Sequence, residues 1–286
     1  MTVSLEIKDG LGFVGLNAPP VNGLSLAVRS ALLRIFTRLR DRREVTAIVL
    51  YGAGRGFSAG GEISEFGTPA AGAEPGLSQH VHPAIEDCGK PVIAAAHGFL
   101  VGGGLETALA CHYRLAEAGT KVALPEGKLG IIPLAATQRL PRLVGLEAAF
   151  ELMLNGRTCL AEAGPAGLFD RIAEPGRMLE AAAELAREVV ARGAPHPAVR
   201  DLPPPRDDAE AILARLRGRL EVAGAPLVAW RLLDAVAACV EAPTFEAGMA
   251  RARTIHDELK DGPDVASARD AFFAGRATPT RDGGSA

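Results

Sequence analysis

Two short apolar runs, each closed by glycine, constrain the fold of this chain more than any other feature. Thr46-Ala47-Ile48-Val49-Leu50-Tyr51 stops at Gly52, and Pro91-Val92-Ile93-Ala94-Ala95-Ala96 stops at His97-Gly98. Runs this short and this apolar read as strands buried on both faces. Lys121-Val122-Ala123-Leu124 has the same character. Helical stretches separate them, one before Cys88 and one from about Leu105 to Cys111. Strand, helix and strand in succession pair in parallel through crossovers, which makes the fold class α/β.

The flanking segments complete the outline. Val3-Ser4-Leu5-Glu6-Ile7 alternates, Asp9-Gly10 turns, and Gly12-Phe13-Val14-Gly15-Leu16 returns as the second arm of a hairpin. A helix is expected from an N-cap at Ser25 to about Arg43, with Leu26, Leu32, Leu33, Phe36 and Leu39 inward and arginines on the polar face. Beyond about residue 145 the chain becomes helical. Leu146–Leu154, Met178–Arg192, Asp208–Val222, Leu227–Cys239 and Phe245–Leu259 carry the period, with Pro195-His196-Pro197 and Pro203-Pro204-Pro205 as loops. The expected division is a core over 1–195, a helical region over 196–277 and a disordered tail over 278–286.

With 286 residues the chain can bury a sizeable core, and a net charge of −3 without a basic stripe argues against nucleic acid as a partner. The most apolar segment, Pro91 to Ala118, is interrupted by His97, Glu106 and His112, so it reads as core rather than membrane span. Met1 to Glu6 has neither the basic region nor the apolar core of a secretion signal. The four cysteines are scattered, without a CxxC pair, as in a reduced cytoplasmic protein, and the histidines show no metal-ligand spacing. No metal is therefore expected.

Two glutamates stand out against this background. Glu106 lies in Gly102-Gly103-Gly104-Leu105-Glu106-Thr107, and Glu126 in Ala123-Leu124-Pro125-Glu126-Gly127. Carboxylates in apolar surroundings need stabilisation or a use, and a pair of them can move protons on and off one water. Plainer readings exist. Glu106 can reach solvent from a helix, and Glu126 can complement a helix dipole after Pro125. His97, His112, Lys128 and Arg139 read as satisfied or surface residues, and Trp230 as packing. Gly52 to Glu62 follows a strand directly and admits three readings. Gly56-Phe57-Ser58-Ala59-Gly60 fits the GxSxG nucleophile elbow, although three glycines separate strand from serine. The loop also suits backbone N–H groups facing a ligand oxygen, or it is a plain surface loop. Neither nucleotide-loop pattern fits, since GxxxxGK[ST] lacks its lysine and Phe57 takes the third glycine position of GxGxxG. The run 102–104 opens a helix, where free N–H groups favour developing negative charge.

Together these segments carry a resemblance. Pro19-Pro20-Val21-Asn22-Gly23-Leu24-Ser25, Phe57-Ser58-Ala59-Gly60-Gly61-Glu62-Ile63, His97 to Glu106, Leu124-Pro125-Glu126 and Thr137-Gln138-Arg139-Leu140-Pro141-Arg142 closely resemble the crotonase (enoyl-CoA hydratase/isomerase) superfamily, in its order and near its spacing. Cys111-His112-Tyr113-Arg114-Leu115-Ala116 and Ala268 to Ala274 resemble the hydratase/isomerase half of multifunctional fatty-acid oxidation enzymes. The resemblance implies a β-β-α spiral followed by helices. It makes the N–H groups of Gly61 and Gly103 an oxyanion hole for a thioester oxygen, and Glu106 and Glu126 the acid–base pair. It puts Ser58, Ala59, Gly60, Gly102, Pro133 and Leu134 at the substrate. The implied reaction is hydration of trans-2-enoyl-CoA to 3-hydroxyacyl-CoA, with no cofactor beyond the coenzyme A thioester that is the substrate. Alternatives are an enoyl-CoA isomerase or a non-catalytic acyl-CoA-binding homologue. Relatives are mostly trimers or hexamers, so a homo-oligomer is expected, with a monomer as the other possibility. In the multifunctional relatives the helical tail can cover its own site. No dehydrogenase pattern follows, which implies a stand-alone hydratase-like part. Two departures stand out: Leu134-Ala135-Ala136 replaces a longer glycine-rich stretch, and Glu62 stands where aspartate is common.

Overall fold

A computed structural model describes residues 1–193, 195–262 and Val265. The expected tail over 278–286 and the segment Ala268–Ala274 lie outside the described residues. The chain opens with the hairpin β1 (Val3–Lys8) and β2 (Leu11–Leu16), then α1 (Leu26–Arg40) and β3 (Ala47–Gly52). Ser25 caps α1, its hydroxyl accepting from the Val28 N–H at 3.3 Å. The helix stops at Arg40, short of the expected Arg43, because Asp41 takes the C-cap. Arg29 does not stay on its polar face: it is buried, paired with Glu65 and donating to the Ala70 carbonyl.

Short helices α2 (Pro69–Gly72) and α3 (His82–Glu86) lead to β4 (Val92–Ala96), β5 (Phe99–Val101), α4 (Gly103–Leu109), β6 (Tyr113–Glu117) and β7 (Lys121–Ala123). Thus the most apolar stretch of the sequence is cut into four elements. After a 3₁₀ turn at Pro125–Leu129 come α5 (Ala136–Val144), α6 (Leu146–Asn155), β8 (Cys159–Leu160), β9 (Arg171–Ala173) and α7 (Met178–Arg192). The helices α8 (Ala209–Val222), α9 (Leu227–Glu241) and α10 (Phe245–Lys260) close the described chain.

Six strands form the main sheet in the order β1-β2-β3-β4-β6-β9. Only β1 and β2 pair antiparallel; each later pair is parallel, with Leu50 opposite Ala94 and Ala94 opposite Arg114. Period-2 alternation explains why the strand runs are apolar throughout. Ile48, Leu50, Val92 and Ala94 enter the large core shared with α1, while Ala47, Val49, Ile93 and Ala95 meet the face of α7 carrying Ala182, Leu185 and Val189.

The segment Lys121–Leu124 departs from expectation in its partner. Its strand joins a second sheet, β5-β7-β8, in which β5 and β7 run parallel. This small sheet positions the glycine segments. Phe57 N–H donates to the Phe99 carbonyl at 3.0 Å, Val101 N–H to Ser58 at 3.0 Å, and Gly102 N–H to Ala123 at 2.9 Å. The helical region packs on its own chain: Leu216, Leu233, Val236 and Ile255 belong to the same buried cluster as the sheet. Trp230 packs partly buried against that cluster.

Candidate active site

The loop after β3 and the turn after β5 meet because glycine lets them. A Cβ on Gly60 (φ 92°) would lie 3.0 Å from the Gly103 nitrogen, and one on Gly102 (φ 54°) 2.8 Å from Glu126 Oε1. Both positions have a positive φ that side chains rarely adopt; at Gly60 a Cβ would also crowd backbone, and at Gly102 it would push the Glu126 carboxyl aside. Asn22 braces the loop from below, its amide nitrogen donating to the Ala53 and Gly56 carbonyls at 2.9 Å each. With the loop so held, the N–H groups of Gly61 and Gly103 have no acceptor among the described residues, and both glycines line one cavity of about 710 Å³.

Ser58 takes a different place from the one the resemblance implies. It is fully buried, donates to the Asn22 carbonyl at 2.7 Å and accepts from the Gly60 N–H at 3.1 Å. Its hydroxyl shapes the loop from behind and is absent from the cavity wall. No helix leaves the serine as an elbow requires; a 3₁₀ turn at Ile63–Glu65 follows instead. Ala59, Gly60, Gly102, Pro133 and Leu134 do line the cavity.

Glu106 and Glu126 line it as well. Glu106 projects from α4 and is only 9% exposed. Its Oε1 accepts from the N–H groups of Ala135 at 2.6 Å and Ala136 at 3.0 Å, the opening amides of α5. So the unusual Leu134-Ala135-Ala136 segment does more than border a substrate: its backbone fixes a carboxylate. Burial raises the Glu106 pKa, and the two amides and Arg139 oppose that rise. Glu126 sits on the 3₁₀ turn, and its Oε2 is buried without a hydrogen-bond partner among the described residues. Burial first, and then the charge of Glu106, push its pKa up to about 8. The two carboxyls are therefore unequal. Glu106 has two donors from α5 that favour a negative charge; Glu126 has only a backbone donor of its own residue, leaves Oε2 without a partner among the described residues, and with its pKa at about 8 holds its proton near neutrality.

Sequence reasoning missed several neighbours. Arg139, read as a surface residue, is 1% exposed. It forms a two-pronged pair with buried Glu86 at 2.9 and 2.8 Å, and its guanidinium lies 4.9 Å from the Phe245 ring centroid on α10. A buried arginine carries no sequence mark, because its partner is 53 residues away. Helix α10 supplies a whole wall of the cavity through Arg253, His256, Asp257 and Lys260. The i, i+3, i+7 spacing of Arg253, His256 and Lys260 does mark one helix face, but not what that face meets. His112 accepts from the Val92 N–H at 3.2 Å, while His97 is only half satisfied: its Nε2 lies 2.9 Å from the Gly54 carbonyl and its Nδ1 is buried without a partner among the described residues.

A parallel-sheet spiral that sets two carboxyl groups and two unpaired amides around one cavity defines an acid–base enzyme fold of the crotonase type. The family described as enoyl-CoA hydratase/isomerase matches residues 6–200, and the chain belongs to that family. Over 188 residues it is 43% identical to a peroxisomal bifunctional enzyme of Danio rerio, covering 65% of this chain and 26% of that one. It is 40% identical over 159 residues to a probable enoyl-CoA hydratase of Bacillus subtilis (strain 168), covering 54% of this chain and 62% of that one. The chain thus spans about a quarter of the length of the peroxisomal relatives it matches. Among solved structures, an enoyl-CoA hydratase/isomerase from Pseudoalteromonas atlantica T6c superposes with a TM-score of 0.72 over 97% of this chain and 98% of that one; at 22% identity this establishes the fold.

Proposed function

We propose that this protein catalyses the reversible addition of water to a trans-2-enoyl-CoA thioester, giving 3-hydroxyacyl-CoA. The observation that carries the reading is the inequality of the two carboxyls across one cavity. The thioester oxygen accepts from the N–H groups of Gly61 and Gly103, which hold the charge as the acyl carbons become enolate-like. Removing one such donor typically costs about 3–4 kcal/mol of transition-state stabilisation. Glu106, whose ionised form the Ala135 and Ala136 amides favour against burial, takes a proton from water while the water oxygen bonds to C3. Glu126, protonated near neutral pH, delivers its proton to C2. The two carboxyls then exchange their proton through solvent, and the reverse reaction uses the same groups in opposite roles. General acid–base catalysis of this kind is worth roughly 10²–10⁴-fold.

The test is loss of the enoyl thioester absorbance of crotonyl-CoA. Glu106→Gln and Glu126→Gln are each expected to lower kcat by about 10²–10⁴-fold; unchanged rates would remove the mechanism. Enoyl isomerisation is the second reading. Glu126 favours it, because a single unpartnered carboxyl suffices to move a proton between C2 and C4. A Glu106→Gln variant that loses hydration but keeps double-bond migration would select it. The reading includes a cytoplasmic location, supported by four free cysteines, although the relatives named above include peroxisomal ones. It also includes a homo-oligomer, supported by the exposed Val222 and Leu227 at the turn between α8 and α9; sedimentation tests this.

A further inference from the structure

Arg29 is a buried charge on α1 that borders the cavity, and the chemistry above has no use for it. Its guanidinium reaches out of its own helix to the segment that follows Gly61. Nη2 donates to the Ala70 carbonyl at 2.7 Å and to Glu65 Oε2 at 3.3 Å, and Nη1 donates to the Ala73 carbonyl at 3.2 Å. The other Glu65 oxygen accepts from the Leu26 N–H at 2.8 Å. That amide is the first of α1, a helix with no acidic residue in its own first turn. Opening amides lack partners within the helix and favour a carboxylate. Glu65 therefore completes α1 from 39 residues away. It also meets the Arg29 charge, so Arg29 is not a free cation waiting for a substrate anion.

These bonds matter because the segment has few others. Up to Gly60 the loop is tied to the chain before α1: the Ala59 N–H donates to the Val21 carbonyl at 3.0 Å, and the Gly60 carbonyl accepts from the Leu24 N–H at 2.9 Å. From Gly61 to Ala73, every backbone–backbone hydrogen bond among the described residues stays inside the stretch, as with Glu65 to Glu62 at 3.1 Å and Ala73 to Ala70 at 3.3 Å. Among the described residues, only Leu26 and Arg29 join it to the rest of the chain by hydrogen bonds. Yet Glu62, Ile63, Phe66 and Ala71 line the cavity from this stretch, and Gly61 begins it. Phe66 lies against Gly61, since a Cβ on that glycine would be 3.2 Å from the ring. Gly61 thus stands between one end fixed by Leu24 and another fixed by Arg29. We infer that Arg29, acting through Glu65, is a positioning residue that holds the Gly61 N–H on the thioester oxygen. This rests on the hydration reading above, in which Gly61 is one of the two donors. Glu65 fixes the turn at Ile63–Glu65, the turn sets Phe66 against Gly61, and the peptide keeps its direction as negative charge develops. A donor fixed beforehand stabilises that charge without having to reorganise.

The experiment joins steady-state kinetics to infrared spectroscopy of a bound thioester. Butyryl-CoA labelled with carbon-13 at its carbonyl has no double bond to hydrate, so it reports the donors without turnover. Hydrogen bonds to the carbonyl lower its stretching frequency. The wild-type protein is expected to lower it, and Arg29→Met to lose much of that shift. The same variant should lower kcat for crotonyl-CoA by about 10- to 100-fold, part of the roughly 10²–10³-fold typical of a lost oxyanion donor. KM should change little, because the donor acts in the transition state. An infrared shift equal in Arg29→Met and wild type overturns the inference whatever the rate. A loss confined to KM also overturns it, since Arg29 would then support the cavity wall alone. Should Arg29→Met fail to fold, Glu65→Gln takes its place: it keeps an acceptor for Leu26, removes the charge that holds Arg29, and should also reduce the shift. An unchanged shift there overturns the inference. No lowering of the stretch in the wild type overturns it too, because there is then no donor to position. If the wild type hydrates no enoyl-CoA, the hydration reading fails separately, and the infrared comparison decides the role of Arg29 by itself.

Discussion

Glu126 holds the chemistry and a stability cost in the same atoms. Its folded pKa, about 8, lies above the ordinary carboxylate value. Between those two values the folded chain holds a proton that the unfolded chain has released, so stability falls as pH rises through that window. The acid form is also the form needed to protonate C2. We therefore expect kcat for hydration to decline as pH rises through about 8, read from the pH profile at saturating crotonyl-CoA. Glu126→Gln cannot ionise, so it should abolish that limb with the activity and raise Tm relative to wild type at pH above the window. Equal Tm values there would argue against a buried, proton-holding Glu126. Glu106 and Glu126 were legible in the sequence as candidates because a carboxylate in an apolar run is unusual. Which of them is the acid was not legible. That depends on two amides that lie 29 and 30 residues beyond Glu106.

At the scale of elements, the start of α5 is the device that assigns the roles. The first amides of a helix have no partner within it, and here two of them are used by Glu106. Ala135 has φ −77°, which proline accepts, so Ala135→Pro removes one donor, and its ring carbon also displaces the Glu106 oxygen that lies 2.6 Å from the Ala135 nitrogen. A hydrogen bond to a charged group is worth about 1.5–3 kcal/mol. Losing it should raise the Glu106 pKa, move the acidic limb of the pH profile to higher pH and lower kcat at neutral pH. An unmoved limb would mean that the amides do not set Glu106. Most elements were predictable from period and capping, as with Ser25 before α1 and Met178–Arg192, which matches α7 end to end. The misses have physical causes. Strand β6 carries Arg114, which looks unsuited to a buried strand until it meets Asp170 and the carbonyls of Cys111 and Leu168. Strands β5, β8 and β9 are three residues or fewer, too short for any period to register. Helix α5 mixes proline and polar residues that are buried only because α9 lies over them, with Gln138 donating to the Ala235 carbonyl at 2.8 Å.

Over the whole molecule, the C-terminal helices fold back and complete the cavity. Phe245 at the start of α10 stacks on Arg139 and Arg142, with the guanidinium carbons 4.9 and 5.1 Å from the ring centroid. Arg139 in turn is locked to Glu86. Phe245 is only half-buried, so Phe245→Ala should cost about 1–3 kcal/mol, less than a core aromatic. Loosening α10 should also raise KM for enoyl-CoA, because Arg253 and Lys260 line the cavity from that helix. Urea unfolding and steady-state kinetics measure the two effects. A loss of stability with KM unchanged would leave α10 as a prop and not as a wall of the binding site.

By itself the sequence determined the local order: which runs form strands, where helices start, and that two glycine segments and two acids accompany them. These are decided by neighbours along the chain, through alternation, capping and the conformational freedom of glycine. Only the tertiary structure decided that Arg139 and His82 are buried, that Ser58 shapes a loop instead of facing the cavity, and that burial raises both glutamates while two amides of α5 oppose the rise at Glu106 alone. Burial and pairing are relations between residues far apart in sequence. The free energy of a charge depends on what surrounds it in space, and no local pattern records that.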